Sequence, residues 1–245
     1  MATTEQTRPR AGPTGADVSA VRYLPLEKTE VLRYLGHRRG QELSDEMSAL
    51  IDRVMLEVQD ASRPRYRFRV FPLAHPELRL VGTDVVLTGN VIARHLAEAS
   101  HAALLAGTLG LDIERATRRY EATDLTRARL LDACAAEYLE KLLDLAELEL
   151  AAQHPQATLN RRFSPGYGDL PLVPTQAAIL AALGAANALG ITLTPAAIMV
   201  PRKSVTAVIG LFDDPAKARP VRPEPAGLTL AMARAGGFNI DGERG

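Results

Sequence analysis

Between Ser44 and Ser62 the apolar side chains Met47, Leu50, Ile51, Val54, Met55 and Val58 recur at three- and four-residue steps. That period puts them on one face of a helix, and Ser44 stands where an N-cap belongs. A shorter helical pattern, EKTEVLRYLG, precedes it and ends near Gly36. After the breaker Ser62-Arg63-Pro64 the period changes to two, with Tyr66, Phe68 and Val70 alternating with Arg67 and Arg69. This predicts a half-buried strand whose arginine face is a binding surface, is solvated, or is partnered on a neighbouring strand. LRLVG and DVVLTG are further short strand candidates. From about Val91 to Leu109 the small residues Ala97, Ala99, Ala102, Ala103 and Ala106 predict a close-packing helix that stops at Gly110. Asp112 is expected to cap a short helix and Asp124 a long one reaching about Gln153, in which Leu131, Ala135, Tyr138, Leu142 and Leu145 form the core stripe. Further on, Pro174 or Thr175 opens a helix that ends at Gly190, and ITLTPAAIMVPRKSVTAVIGLF holds two or three β-rich segments broken by Pro195 and Pro201. Strands and helices mixed in this order predict an α+β fold, with a mixed or antiparallel sheet packed by several helices.

One stretch fits neither period. Asn160 to Leu172, NRRFSPGYGDLPL, joins two long helical patterns and contains almost nothing that forms a helix or a central strand. Pro165 fixes its own φ and pushes Ser164 out of the helical region, while Gly166 and Gly168 permit positive φ or close approach by a ligand. So much backbone specification marks either a site or a proline-rich turn with solvated arginines. As a site, Arg162 offers a planar fork for a carboxylate or phosphate, and Tyr167 a flat face with a hydroxyl.

Composition narrows the function classes. The chain has 245 residues, 47% of them hydrophobic, enough for one large domain. Its formal net charge is zero, so no global field draws it to nucleic acid or to an anionic membrane. The single cysteine, Cys134, excludes an internal disulfide and reads as a small core hydrophobe. No apolar run is long enough to span a bilayer and the N-terminus has no signal-like apolar stretch, so a cytoplasmic protein is expected. His95 and His101 are six residues apart and do not share a helix face, and no metal role is assigned to them. Residues 1–21, rich in Thr, Pro, Gly and Ala, are expected to be a flexible lead, 22–214 the domain, and 215–245 a Pro/Gly-rich tail with a short helical piece around Leu228 to Ala233. No phosphate-binding GxxxxGK[ST] loop, GxSxG elbow or HExxH pair occurs in the chain.

RFSPGY, followed downstream by MVPRKSVTAVIG, resembles the S-adenosylmethionine-binding activation domain of cobalamin-dependent methionine synthase, marked by an Arg-x-x-x-Gly-Tyr loop and a later Met-x-Pro-x-x-Ser-Val stretch. More closely, the chain looks like the stand-alone version of that domain. The resemblance takes in VLRYLGHRRG, LTGNVIARHLAEASHAALLAGTLG and AAEYLEKLLD, and so covers roughly Glu30 to Leu211. It implies a methionine synthase activation domain-like fold and a reactivation role in methionine biosynthesis. S-adenosylmethionine would be the methyl donor, and the cobalamin would be carried by a corrinoid-binding methionine synthase module or subunit. The chain would then be a methyltransferase component without catalytic acid, base or metal, because in-line placement of a sulfonium methyl is the main requirement. Carried over position by position, Arg162 pairs with the methionyl carboxylate, Ser164, Gly166 and Tyr167 line the groove, and Glu137 meets an ammonium or hydroxyl.

The chain departs from the family in two places. Val208, Ile209 and Gly210 stand where the large methionine synthases carry an aromatic pair, and the cysteine-rich C-terminus of many stand-alone relatives is missing. The Asp-x-His-x-x-Gly signature of a cobalamin-binding module is also absent, so the resemblance implies a corrinoid held by another chain. The alternatives are therefore a non-catalytic partner that docks on a corrinoid protein, or a methyl-donor module for another corrinoid methyltransferase.

Overall fold

His101–Thr108, HAALLAGT, is buried on both faces, and burying it sets the architecture. In the computed structural model, which describes residues 19–20, 24–38, 40–219 and 228, this run is a strand at the centre of a six-stranded sheet. In chain order the elements are β1 (Ser19–Ala20), α1 (Lys28–Tyr34), α2 (Asp45–Ala61), β2 (Arg65–Ala74), β3 (Arg79–Leu80), α3 (Asn90–His95), β4 (His101–Thr108), α4 (Leu111–Thr123), α5 (Leu125–Gln153), β5 (Thr158–Leu159), α6 (Leu172–Leu183), α7 (Ala185–Leu189), β6 (Thr192–Leu193), β7 (Met199–Val200) and β8 (Ser204–Phe212). The sheet runs β1-β2-β4-β8-β5 with β3 beside β2, and every pairing is antiparallel. Register is set along the full length of the centre, from Arg65 opposite Thr108 to Pro72 opposite His101, and from Thr108 opposite Ser204 to His101 opposite Leu211.

The two-residue alternation of strands divides the interior in two. Tyr66, Phe68, Val70, Ala103, Leu105, Ala207 and Ile209 face one way and pack with α2, α4 and α5. Phe71, Ala102, Leu104, Ala106, Val208 and Phe212 face the other way and pack with α6 and α7. The result is helices on both faces of an antiparallel sheet. Small residues let the layers close: a Cβ on Gly107 would lie 3.2 Å from Leu143 Cδ2 of α5.

Several expected elements stand as read. Ser44 caps α2 by accepting from the Met47 N–H, Asp124 caps α5 by accepting from the Arg127 N–H, and the stripe from Leu131 to Leu145 is buried. The helix expected from Val91 to Leu109 does not form. Its start is α3, residues 96–100 form a turn and 101–108 are β4, because alanine and leucine buried on both faces of a central strand show no polar alternation to reveal the strand period. Asp112 is not a cap: Gly110 holds that position, and Asp112 lies in the first turn of α4, paired with Arg115 at 3.2 Å. The helix expected from Pro174 to Gly190 begins at Leu172 and is divided by Gly184, which is left-handed at φ 59°.

Among the described residues the half-buried arginine face of β2 meets helix ends rather than a neighbouring strand. Arg65 donates to the Leu189 carbonyl at 2.8 Å, Arg67 to Leu183 at 2.8 Å and Arg69 to Ala182 at 3.2 Å. These are the C-terminal carbonyls of α6 and α7, whose partial negative charge the guanidinium groups meet. At the chain ends, Ser19–Ala20 pair with β2, Ala218 is buried in one core cluster and Leu228 in the other. Backbone pairing and single apolar anchors therefore tie segments to the domain that composition alone assigned to the lead and the tail. The rest of the expected lead, and the helical piece beyond Leu228, lie outside the described residues. No helix among the described residues is long and apolar enough to cross a membrane.

Asn160, fully buried where β5 ends, joins the sheet to the loop that follows. Its Oδ1 accepts from the Gly210 N–H at 2.8 Å, and its Nδ2 donates to the His95 carbonyl at 2.8 Å. Asn160→Ala leaves both groups buried and unpaired, a cost of about 2–4 kcal/mol, or roughly 4–12 °C in thermal midpoint. Calorimetry checks this, and a fall of less than about 2 °C would show that water or a shift of α3 replaces the two bonds.

Candidate functional site

The Asn160–Leu172 segment is a folded loop held at three points. Phe163 exchanges backbone hydrogen bonds with Val208 of β8, 2.8 Å in each direction. Within the loop the Gly166 N–H donates to Leu170 at 2.9 Å and the Tyr167 N–H to Ser164 at 3.1 Å, with Gly166 at φ 86°. At its far end Asp169 accepts from the Asn90 N–H at 2.6 Å and the Val91 N–H at 2.9 Å. The hydrogen bonds from Val91 and Asn90, with Arg94 nearby, hold the Asp169 carboxyl below its ordinary range although it is exposed. Two glycines make that clasp possible. A Cβ on Gly89 would lie 2.6 Å from Asp169 Oδ1, and one on Gly168 would lie 3.2 Å from Val91 Cβ.

Arg162 is directed away from the loop's exposed face, towards α5. Its Nη1 donates to Asp144 at 2.9 Å and to Glu147, and its Nη2 donates to Glu140. These acids recur at four- and three-residue steps, so they form one face of the helix. Burial works to lower the Arg162 pKa, but the charges of Glu147, Glu140 and Asp144 outweigh it and raise the group above its ordinary value. Among the described residues Arg162 meets Glu140, Asp144 and Glu147, and the Glu140 and Asp144 side chains are 44% and 24% exposed. Two side chains stack behind it: the His95 ring lies 5.1 Å from that of Phe163, and its Nε2–H donates to the Arg161 carbonyl at 2.8 Å. Tyr167 meets Phe163 edge-on at 5.9 Å and is otherwise open to solvent, 73% exposed.

Glu137 lies one turn before Glu140 on α5 and is buried. Burial pushes its carboxyl up to about 7 against the opposing charge of Lys141, whose Nζ is 3.9 Å away and is itself paired with Glu27 at 2.7 Å. The structure thus brings Arg162, Ser164, Gly166 and Tyr167 together in one loop. Glu137 stands apart from them on the helix that carries Arg162's partners. Cys134 is a buried core residue whose thiol burial pushes up to about 12, which removes it as a nucleophile. Sequence reasoning did not single out Glu140, Asp144 and Glu147, although their spacing on a helix ending near a conspicuous arginine loop was available as a signal. The Asp169 clasp had no such signal, because its partners are backbone groups distant in the chain.

A cleft of about 560 Å³ lies elsewhere, between α4, α5 and the turn that enters β8. None of the five expected site residues lines it.

No protein-family model matches the chain, and no curated protein does. Among solved structures the chain is similar to the crystal structure of the MetH reactivation domain bound to AdoHcy, with a TM-score of 0.53 over 84% of this chain and 80% of that one. Sequence identity between the two is 16%. The family resemblance drawn from the motifs therefore holds at the level of architecture: this chain has the α+β fold of the MetH reactivation domain.

Proposed function

We propose that the chain binds S-adenosylmethionine beside the Asn160–Leu172 loop and serves as the reactivation subunit of a cobalamin-dependent methionine synthase system. The cobalamin is carried by a corrinoid-binding partner. The single observation that carries the reading is a fold shared with a reactivation domain, joined to an Arg-x-x-x-Gly-Tyr loop held rigid at both ends. S-adenosylmethionine, when bound, supplies a sulfonium methyl group to a reduced corrinoid. The chain's own work is then to hold and orient the donor. A donor with a sulfonium and an ammonium suits a site with an acid beside the guanidinium, and Glu140, 44% exposed next to Arg162, is open enough to meet it. Nε of Arg162 makes no described hydrogen bond and is left for the methionyl carboxylate, with Ser164, Gly166 and Tyr167 lining the approach.

One observation favours a second reading, in which the chain docks on a corrinoid protein without useful affinity for the donor. Both terminal nitrogens of Arg162 are already committed to α5, and Val208 and Ile209, in place of an aromatic pair, are buried in the core.

Calorimetric titration with S-adenosylmethionine separates the two readings. Arg162→Ala is expected to weaken binding by about ten- to a hundredfold, the value of a charge-assisted pair, and Arg161→Ala, which is exposed, to leave it nearly unchanged. Equal losses, or no heat from the unaltered chain, favour docking without donor binding. With a corrinoid protein and a reductant, formation of methylcobalamin then tests the transfer itself.

Glu137 provides a test by pH. Its folded pKa is raised above the unfolded value, so the folded state holds the proton more tightly and stability falls as pH rises from about 4.5 through about 7. Glu137→Gln keeps the shape and removes the titration. Urea unfolding is expected to show the variant matching the parent near pH 5 and exceeding it by about 1–3 kcal/mol at pH 8. Parallel pH profiles would mean that Glu137 stays charged in the folded chain.

A further inference from the structure

The cleft between α4, α5 and the turn entering β8 has no lining residue from the arginine loop, although Tyr34, which lines it, lies near Glu140 of the acid cluster. The turn ends at Ser204, and the loop meets β8 at Val208, roughly 13 Å further along the strand. The cleft is open, and its lining is mixed, with Glu121, Arg129, Asp132 and Arg202 among apolar side chains. Tyr34, Leu35 and Leu125 all line it, and Leu125 is 68% exposed. Its volume, about 560 Å³, falls within the range of small-molecule sites.

Charge around the cleft is distributed unevenly. Most cations nearby are neutralised: Arg118 by Glu114 at 2.5 Å, Lys203 by Asp132 at 2.9 Å, and Arg127 by Glu57 at 2.6 Å. Arg129 and Arg202, which line the cleft from α5 and from the turn, have no ion pair among the described residues. Arg202 is nevertheless fixed in place. Its backbone N–H donates to Glu114 at 3.2 Å, and the neighbouring Lys203 is tied to α5 through both the side chain and the carbonyl of Asp132. The turn is therefore anchored by everything except the Arg202 guanidinium, which is left over the cleft with Arg129 on the facing helix.

We infer that this cleft binds a small organic anion carried on an aromatic or apolar body, gripped by Arg129 and Arg202 and seated against Tyr34, Leu35 and Leu125. Two guanidinium groups suit a phosphate monoester or a carboxylate, both planar-fork partners. The Glu121 carboxylate, which lines the same cleft, accepts from hydroxyl or amino groups on the ligand body. A nucleoside monophosphate and an aromatic carboxylic acid are the two sources of that chemistry. The inference does not depend on the S-adenosylmethionine reading, since no residue of the arginine loop takes part.

The test is titration of the full chain, followed by calorimetry and by amide NMR, with adenosine monophosphate, phenylpropionate and inorganic phosphate as probes. At least one organic anion is expected to saturate the cleft, more tightly than inorganic phosphate, and which one does so identifies the headgroup. Arg129→Gln and Arg202→Gln should each weaken it by about tenfold or more. Arg119→Gln, an exposed α4 residue outside the cleft, and Arg162→Ala should leave it unchanged. Both cleft variants alter exposed side chains, so the thermal midpoint should stay constant and confirm that folding is intact. Three results would overturn the inference: no saturation by either organic anion, equal weakening by Arg119→Gln, or inorganic phosphate binding as tightly as the organic probes.

Discussion

The rest of the fold depends on burying β4 from both sides. A central antiparallel strand covered by helices on each face must present apolar side chains in both directions, and those side chains must be small enough for the layers to close. HAALLAGT meets both conditions, with Ala103, Leu105 and Gly107 under α5 and Ala102, Leu104 and Ala106 under α6 and α7. Two further features answer the same constraint. The α5 helix runs the length of the domain to cover one face, and the β2 arginines cap the C-termini of α6 and α7 so that the short helices on the other face end with satisfied carbonyls.

That frame positions the loop. Asn160 bonds to β8 and to the chain leaving α3, Phe163 bridges β8, and Asp169 accepts from the N–H groups that open α3. Every anchor is therefore on an element that packs against the central sheet, and the exposed part, from Ser164 to Gly168, is a short span between fixed points. Rigidity of this kind lets a site orient a bound donor without ordering a long segment when it binds.

How much of this was legible follows the kind of contact involved. Amphipathic elements with a polar face, such as α2 and the stripe of α5, show their period directly, and their caps at Ser44 and Asp124 are local. The β4 strand was hidden because burial on both faces removes the polar half of the alternation, and alanine's helix propensity then points the wrong way. Arg65, Arg67 and Arg69 were legible as one face of a strand but not as helix caps, since their partners are backbone carbonyls more than a hundred residues away. Within the candidate site the loop's shape was readable from Pro165, Gly166 and Gly168. The commitment of Arg162 to three acids of α5 was not, because spacing along a helix says which side chains share a face and not what faces them.

The charges on α5 show which interactions the helix is built for. Its N-terminal half carries Arg127 and Arg129 with Asp132 and Glu137, and its C-terminal half carries Glu140, Asp144, Glu147 and Glu149 with Lys141. The helix dipole prefers the reverse, with acids near the N-terminus and bases near the C-terminus. The first turn contains no acid and the last turn no base. Beyond the Asp124 cap, this arrangement gains little from the helix itself and is explained by what lies opposite it. Glu57 of α2 meets Arg127, Tyr66 of β2 donates to Glu149, and Arg162 of the loop meets the remaining acids. The C-terminal half of α5 is therefore acidic beside the arginine loop, while at the other end Arg129 and Arg202 have no ion pair among the described residues. Electrostatic attraction falls off within about 10 Å at moderate ionic strength, so the field at each end of α5 follows its own local charges rather than the charge of the whole chain.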